Sequence, residues 1–319
     1  MKKKILFLIL SMIISITFFC ELQTVTFLAQ WQPQAQFAGY YYAKEKGIYE
    51  KYGLDVKILE SGPGKLIFKN ILPNEVDFFT LFLSGAATKY DEDYKIVNLA
   101  QLSQRSALLF VSKKSENILK PSDLNDKKIG IWYADFNELP LSFIRDHDLY
   151  TKIIGIRSSI NLFLMDGIDA MAVMQYNELD QIYQSGIDFD EINTMYFYDY
   201  DYDIPEDGIY CSGELYEKNP DICRKFVEAS LEGWTEAFKN KDTAIDIVVK
   251  YMKESHIATN KAHQEWMLNE IEKLFIIPGK KLGILNEEDY KRCIGILADN
   301  YFIEKRIGFD EFAKNIIEN

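Results

Sequence analysis

Three side chains near the start of the chain, Trp31, Gln34 and Gln36, have the types and spacing to hold a flat, polar, uncharged ring. An indole offers a π face for stacking, and a carboxamide both donates and accepts hydrogen bonds at a ring edge. They lie in the run Trp31-Gln32-Pro33-Gln34-Ala35-Gln36-Phe37-Ala38-Gly39-Tyr40-Tyr41. Simple core filling is the alternative for Trp31, as for any single tryptophan. Two carboxamides beside it, at a junction aimed into a cleft, favour ligand contact. Phe37, Ala38 and Gly39 read as packing and close backbone approach.

Further candidates sit at the ends of predicted buried strands, where open α/β sheets place their ligands. Thr80 and Phe82 end one such strand, and Ser84 behind them reads equally as a helix cap. Trp132 and Asp135 hold the matching strand end in the second half of the chain, where a second indole facing Trp31 would complete an aromatic clamp. Tyr176 and Glu178 follow a strand of small residues, 170–174. Glu178 is the preferred polar anchor, because a carboxylate accepts paired N–H bonds from an aminopyrimidine-like edge. A solvated loop carboxylate is the alternative there.

Other chemistries find little support. The alternating tyrosines and aspartates of 196–203 suggest a calcium loop, but the glycine and distal glutamate of an EF-hand are missing. An exposed edge strand leading into the turn Pro205-Glu206-Asp207-Gly208 is the better reading, with Asp207 near an inter-lobe crossing. His147, His256 and His263 are scattered; the last two could share a helix face but lack a third ligand, so surface or capping roles are expected. Cys211, Cys223 and Cys293 form no Cys-x-x-Cys pair and read as small buried hydrophobes, with a Cys211–Cys223 bridge left open. No nucleophile elbow, Walker loop, dinucleotide fingerprint or zincin motif is present. No catalytic residue, metal site or cofactor is therefore expected.

The elements that must position these residues alternate. Strands are predicted at 25–29, 55–59, 75–82, 96–102, 107–112, 128–132, 153–156 and 169–174, and helical segments at 37 onward, 64–72, 84–88, 121–124, 135–148 and 159–166. Such alternation indicates α/β lobes. The last third is helical: Asn219-Pro220-Asp221 starts one helix, apolar residues around 245–252 mark the next, and three or four more follow. The expected organisation is a first lobe over 20–109, a second over 110–204, and a return to the first lobe with C-terminal helices over 205–319.

At 319 residues the chain exceeds one ordinary domain. A formal charge of −13 argues against nucleic-acid partners. Lys2, Lys3 and Lys4 followed by about 15 apolar residues form a secretory signal over 1–19, short for a spanning helix. Cys20 stands where a bacterial lipoprotein carries its lipid, although Thr17-Phe18-Phe19 lacks the small residue a lipobox wants. A lipid anchor, a plain cleaved signal and an uncleaved anchor all remain open, and each implies export.

Taken together, Trp31-x-Pro33-Gln34-x-Gln36, Gly39-Tyr40-Tyr41, Glu45-Lys46-Gly47, Lys127-Lys128-Ile129-Gly130, Gly167-x-Asp169-Ala170, Asn177-Glu178 and the stretch 215–226 resemble the NMT1/THI5-like family over roughly residues 25–250. The resemblance implies a type II periplasmic-binding-protein fold: two α/β lobes with mixed sheets, a hinge, and ligand in the cleft. It implies ring contacts at Trp31 and Gln34 and an acid near Glu178. It also implies the solute-binding branch of ABC importers, ThiY-type proteins that take up a thiamine-precursor pyrimidine, with an ABC permease and ATPase as partners of a monomer. Riboflavin or a sulfonate is the alternative solute, and the absence of arginine from the motif segments counts against a sulfonate. A sensor passing its signal to a separate receptor is a further alternative. The family's pyrimidine-synthesising enzymes resemble this chain less, since they carry a histidine where Phe37 stands and a cysteine cluster missing here.

Overall fold

A computed structural model describes residues 21–62, 65, 74–90, 95–133 and 136–317. The signal segment, Cys20, Asp135 and most of the helical segment expected before residue 72 lie outside the described residues.

In chain order the strands are β1 (Gln23–Leu28), β2 (Leu54–Ile58), β3 (Phe78–Phe82), β4 (Ile96–Gln101), β5 (Leu108–Lys113), β6 (Lys128–Trp132), β7 (Lys152–Ile156), β8 (Ala170–Met174), β9 (Ile192–Tyr196) and β10 (Asp207–Ser212). They form two five-stranded sheets of matching topology, β2-β1-β3-β10-β4 and β7-β6-β8-β5-β9. In each sheet the first three strands are parallel and the fourth runs antiparallel to both its neighbours. Every residue of β8 is buried, the pattern of a strand covered on both faces.

The chain crosses between the sheets at 102–107 and again at 197–206, and the two crossings are bonded side by side. Leu102 N–H donates to Asp207 O at 2.8 Å, and Gln101 Nε2 to the same carbonyl at 2.9 Å. Glu206 accepts from Ser106 Oγ at 2.7 Å and from Ala107 N–H at 3.0 and 3.1 Å. Burial drives the Glu206 carboxyl well above the ordinary range, against these hydrogen bonds.

The helix Pro220–Lys239 anchors the core of the first lobe. Proline fits its first turn, and Asn219 before it makes no side-chain cap. Phe226 on its buried face stacks on Phe78 at 4.0 Å and on Tyr49 at 5.5 Å. Gly233 lets the helix Ala38–Glu45 cross closely, since a Cβ there would lie 2.4 Å from Gly39 O. Three further helices, Lys261–Phe275, Glu287–Asp299 and Phe309–Phe312, follow the helix Lys241–Glu254.

The first helix begins at Ala38, beside the expected start near Phe37, and a 3-10 turn, Ala35–Phe37, leads into it. Two local expectations are corrected. The edge strand expected over 196–203 ends at Tyr196 as β9, and the chain continues in a 3-10 turn, Phe197–Tyr200, because aromatic packing of Phe197 on Phe110 and Phe143 outweighs strand propensity. Glu178 opens a helix, Glu178–Gln184, that the sequence reading left as loop.

Candidate functional site

The parallel strands β1, β3, β6 and β8 all end toward the space between the sheets, and the segment after β1 lines it. Gln30 N–H donates to Thr80 Oγ1 at 2.9 Å, so the threonine hydroxyl fixes this turn. Ser61 Oγ holds Trp31 O at 2.7 Å. The turn Ala35–Phe37 is pinned from outside by Gln264, whose Oε1 accepts from Ala35 N–H at 2.7 Å, and by Met267 Sδ, 3.2 Å from Gln36 N. Ser84 makes no cap; the residue in that position is Phe82.

The amides in this segment converge on a carboxylate from across the first sheet. Gln34 Nε2 donates to Gln36 Oε1 at 2.7 Å, and Gln36 Nε2 reaches Asp207 Oδ1 and Oδ2 at 3.0 and 3.2 Å. Gln30 Nε2 donates to Asp207 Oδ1 at 2.7 Å. The register that pairs Asp207 with Phe82 places β10 so that these bonds form. Burial pushes the Asp207 carboxyl up to about 7, against the lowering effect of the Gln36 and Gln30 amides. Gln30 Oε1 is buried there without a partner. Gln36 therefore holds the carboxylate through its amide nitrogen while Gln34 fixes its amide oxygen, and Asp207 is the acceptor at the centre of these amides.

Tyr176 brings the second lobe to this cluster. Its buried phenol is pushed up by desolvation first, then by the charges of Asp207, Glu206 and Glu178. Glu178 is buried as well, and its oxygens turn onto its own segment: Oε2 accepts from Met174 N–H at 3.0 Å and Oε1 from Asn177 Nδ2 at 3.1 Å. Its carboxyl is likewise raised by burial. The solvated-loop alternative for Glu178 is thus corrected. Among the described residues, no lysine or arginine bonds to Asp207, Glu206 or Glu178. Three buried carboxyl groups are thus held by amides, a hydroxyl and backbone N–H groups, an arrangement that offers an anion no cationic partner among the described residues.

The aromatic wall differs from the expected clamp. Phe136, just after β6, lies edge-on to Trp31 with centroids 6.3 Å apart, and 4.8 Å from Phe82. Phe136 adopts a left-handed φ of 63°, a strained choice for a bulky residue that aims its ring across the cleft. Trp132, expected opposite Trp31, is partly buried and packs against the second lobe's apolar cluster. Sequence reasoning missed Phe136 because ring placement there depends on a turn conformation that carries no sequence signature. It missed most of Asp207's role because an acidic pair in a Pro-Glu-Asp-Gly turn reads as surface.

His263 also departs from expectation. It is neither exposed nor a cap; Asn260 Oδ1 caps its N–H, and its ring lies between the lobes against Asp180 and Asn177. Cys211 and Cys223 are free, buried thiols with sulfurs 4.0 Å apart. Among the described residues no cluster of His, Cys, Asp and Glu could hold a metal, and no helix is long and apolar enough to cross a membrane.

Comparison with known proteins agrees with this architecture. Residues 34–244 match the family model described as NMT1/THI5 like. The riboflavin-binding protein RibY of Chloroflexus aurantiacus is 25% identical over 245 residues, 74% of this chain and 68% of that protein. The formylaminopyrimidine-binding protein of Halalkalibacterium halodurans is 21% identical over 313 residues, 93% of this chain and 91% of that protein. Among solved structures, the periplasmic aliphatic sulphonate binding protein SsuA of Escherichia coli superposes with a TM-score of 0.70 at 13% identity, covering 91% of each chain. The fold is that of the periplasmic binding proteins.

Proposed function

Because this chain belongs to the NMT1/THI5-like family, we propose that it is an extracytoplasmic solute-binding protein of an ABC importer that captures a flat, uncharged nitrogen heterocycle between its lobes. The ligand class rests on one observation: rings from both lobes, Trp31, Phe82 and Phe136, stand beside a buried amide–carboxylate cluster centred on Asp207 that has no cationic partner among the described residues. A heterocycle stacked on the rings can donate an N–H to Asp207, and Gln30 Oε1 can accept a second. A pyrimidine of the formylaminopyrimidine kind, a thiamine precursor, fits these demands. Closure of the lobes then buries the ring and completes the surface a permease and its ATPase would read.

A riboflavin-like ligand is the second reading, favoured by the higher identity to the riboflavin-binding relative. Sulfonates fit poorly, since a sulfonate would meet buried carboxylates and no arginine. Binding fits better than catalysis, because the polar groups present are held by one another and no nucleophile–base pair lies among them.

Thermal-shift titration of the exported form with formylaminopyrimidine, riboflavin and an alkanesulfonate tests the reading. A true ligand at a hundredfold excess over its Kd stabilises by about 2.7 kcal/mol. A shift with either heterocycle and none with the sulfonate is the expected result. A shift with the sulfonate alone overturns it.

A further inference from the structure

A carboxylate only accepts hydrogen bonds, whereas a carboxamide donates at its nitrogen and accepts at its oxygen. An amide that turns its nitrogen to a carboxylate therefore offers its oxygen at the other end. Among the described residues, two such chains start at Asp207. The shorter is Gln30, whose Nε2 donates to Asp207 Oδ1 at 2.7 Å and whose Oε1 is buried without a partner. The longer passes through Gln36. Its Nε2 spans Asp207 Oδ1 and Oδ2 at 3.0 and 3.2 Å, and its Oε1 accepts from Gln34 Nε2 at 2.7 Å. Gln34 Oε1 ends that chain and accepts no bond from the described residues.

This order does not reverse without loss. Turning the Gln36 amide over would set its oxygen against both Asp207 oxygens and its nitrogen against that of Gln34. The backbone is pinned as well, so the amides keep their places. Ala35 N–H is tied to Gln264 Oε1, Gln36 N lies 3.2 Å from Met267 Sδ, and Ser61 Oγ holds Trp31 O. Gln30, Gln34, Gln36 and Asp207 are all buried, so water competes little for these bonds.

We propose that Asp207 sets the hydrogen-bond polarity of the ring site through Gln30 and through the Gln36–Gln34 chain, so that both chains end on oxygens and the site selects a heterocycle bearing an amino group over one whose edge is built from carbonyls. This selection rests on the binding function proposed above and tells its two readings apart. An amino group brings two N–H donors toward the amide oxygens. The polar edge of a flavin ring carries one N–H between two carbonyl oxygens, and those carbonyls would meet amide oxygens that are held in place. Gln36 is then a positioning residue, because it acts on the ligand by fixing which end of Gln34 is presented. A buried oxygen left facing another oxygen costs far more than a hydrogen bond gains, which makes the discrimination steep.

Two measurements at pH 8, above the value of about 7 to which burial pushes Asp207, test the relay. The first needs no ligand. Hydrogen exchange of the glutamine side-chain amides, followed by NMR, is expected to be slow at Gln30, Gln34 and Gln36, and Gln36→Met is expected to speed it at Gln34. The second is calorimetry with formylaminopyrimidine, its analogue carrying methyl in place of the ring amino group, and riboflavin. The parent is expected to bind the amino compound about a hundredfold more tightly than the methyl analogue, and more tightly than riboflavin. Gln36→Met should cut the amino-to-methyl ratio to about tenfold, since a freed Gln34 amide can turn either end to the ligand. Loss of packing alone weakens both compounds alike and leaves that ratio unchanged. Equally slow exchange at Gln34 in parent and variant, an unchanged ratio in the variant, or a ratio near one in the parent overturns the relay. Riboflavin binding tighter than the aminopyrimidine overturns the ligand class and keeps the binding function. Slow exchange in a protein that binds none of the three compounds overturns the ligand class and the binding function together.

Discussion

Gln36 donates its amide to both oxygens of Asp207, at 3.0 and 3.2 Å, and so ties the entrance of the first helix to the strand on which the chain returns from the second lobe. The pair is 171 residues apart in sequence. It fixes a carboxylate beside the cleft rings, and four expectations follow from this arrangement and from the packing around it.

Replacing Trp31 or Phe136 by alanine removes one wall of the ring site while leaving the buried cluster in place. Each change is expected to weaken binding of the heterocyclic ligand roughly tenfold or more, measured by calorimetry or tryptophan quenching. Trp132→Ala is expected to lower stability first, because that ring packs within the second lobe. Unchanged affinity in Trp31→Ala would remove this residue from the site.

Asp207 gives stability an unusual pH dependence. Burial pushes its folded-state value up to about 7, above the ordinary carboxyl value of 3.8, so the folded protein holds a proton the unfolded chain has lost across that window. Stability therefore falls as pH rises from about 4 to 7, by an amount on the order of a few kcal/mol. Asp207→Asn should flatten the decline in Tm between pH 5 and 8 and also abolish ligand binding. An undiminished decline in the variant would place the pH dependence elsewhere.

Much of this was legible in advance and some was not. Strand β6 was read residue for residue, because Lys128-Ile-Gly-Ile-Trp132 is a short apolar run between polar turns. The crossing at Asp207 was anticipated as a location, yet its partners at Gln30 and Gln36 depend on β10 entering between β3 and β4, a pairing no local pattern encodes. The helix at Glu178 was hidden because its first turn carries three polar residues, and its buried face sets the carboxylates of Glu178 and Asp180 beside Leu179 and Ile182, a mixture that gives no apolar stripe. The setting of His263 depends on tertiary contact alone, since its partners lie 83 and 86 residues away.

Helical glycines offer a matched test of packing. A Cβ at Gly39 would stand 2.3 Å from the Trp234 ring, whereas one at Gly295, also helical, meets nothing within 4 Å. Gly39→Ala is expected to cost about 1–3 kcal/mol by overpacking, and Gly295→Ala to gain about 0.5–1 kcal/mol from helix propensity. Denaturant melts of the two variants should move in opposite directions. Parallel shifts would contradict the close crossing at Trp234.

The buried thiols should be inert in the folded state. Burial drives the Cys211 and Cys293 thiols far above their ordinary range, so little reactive thiolate forms. Iodoacetamide at pH 8 is expected to modify Cys211, Cys223 and Cys293 only after denaturation, as read by peptide mass spectrometry. Rapid labelling of the native protein at any of the three would show that its surroundings open.

The placement of β10 also sets an order of assembly. All five strands of the second sheet come from one continuous stretch, residues 108–196, so that sheet can be completed as soon as its residues are available. In the first sheet β4 joins the other strands through β10, more than a hundred residues later. The inserted half can thus mature while the half that precedes it waits with an open edge, and the long closure slows the earlier-made half. On a chain threaded through a membrane from its N-terminus, the first lobe to emerge would be the last to finish.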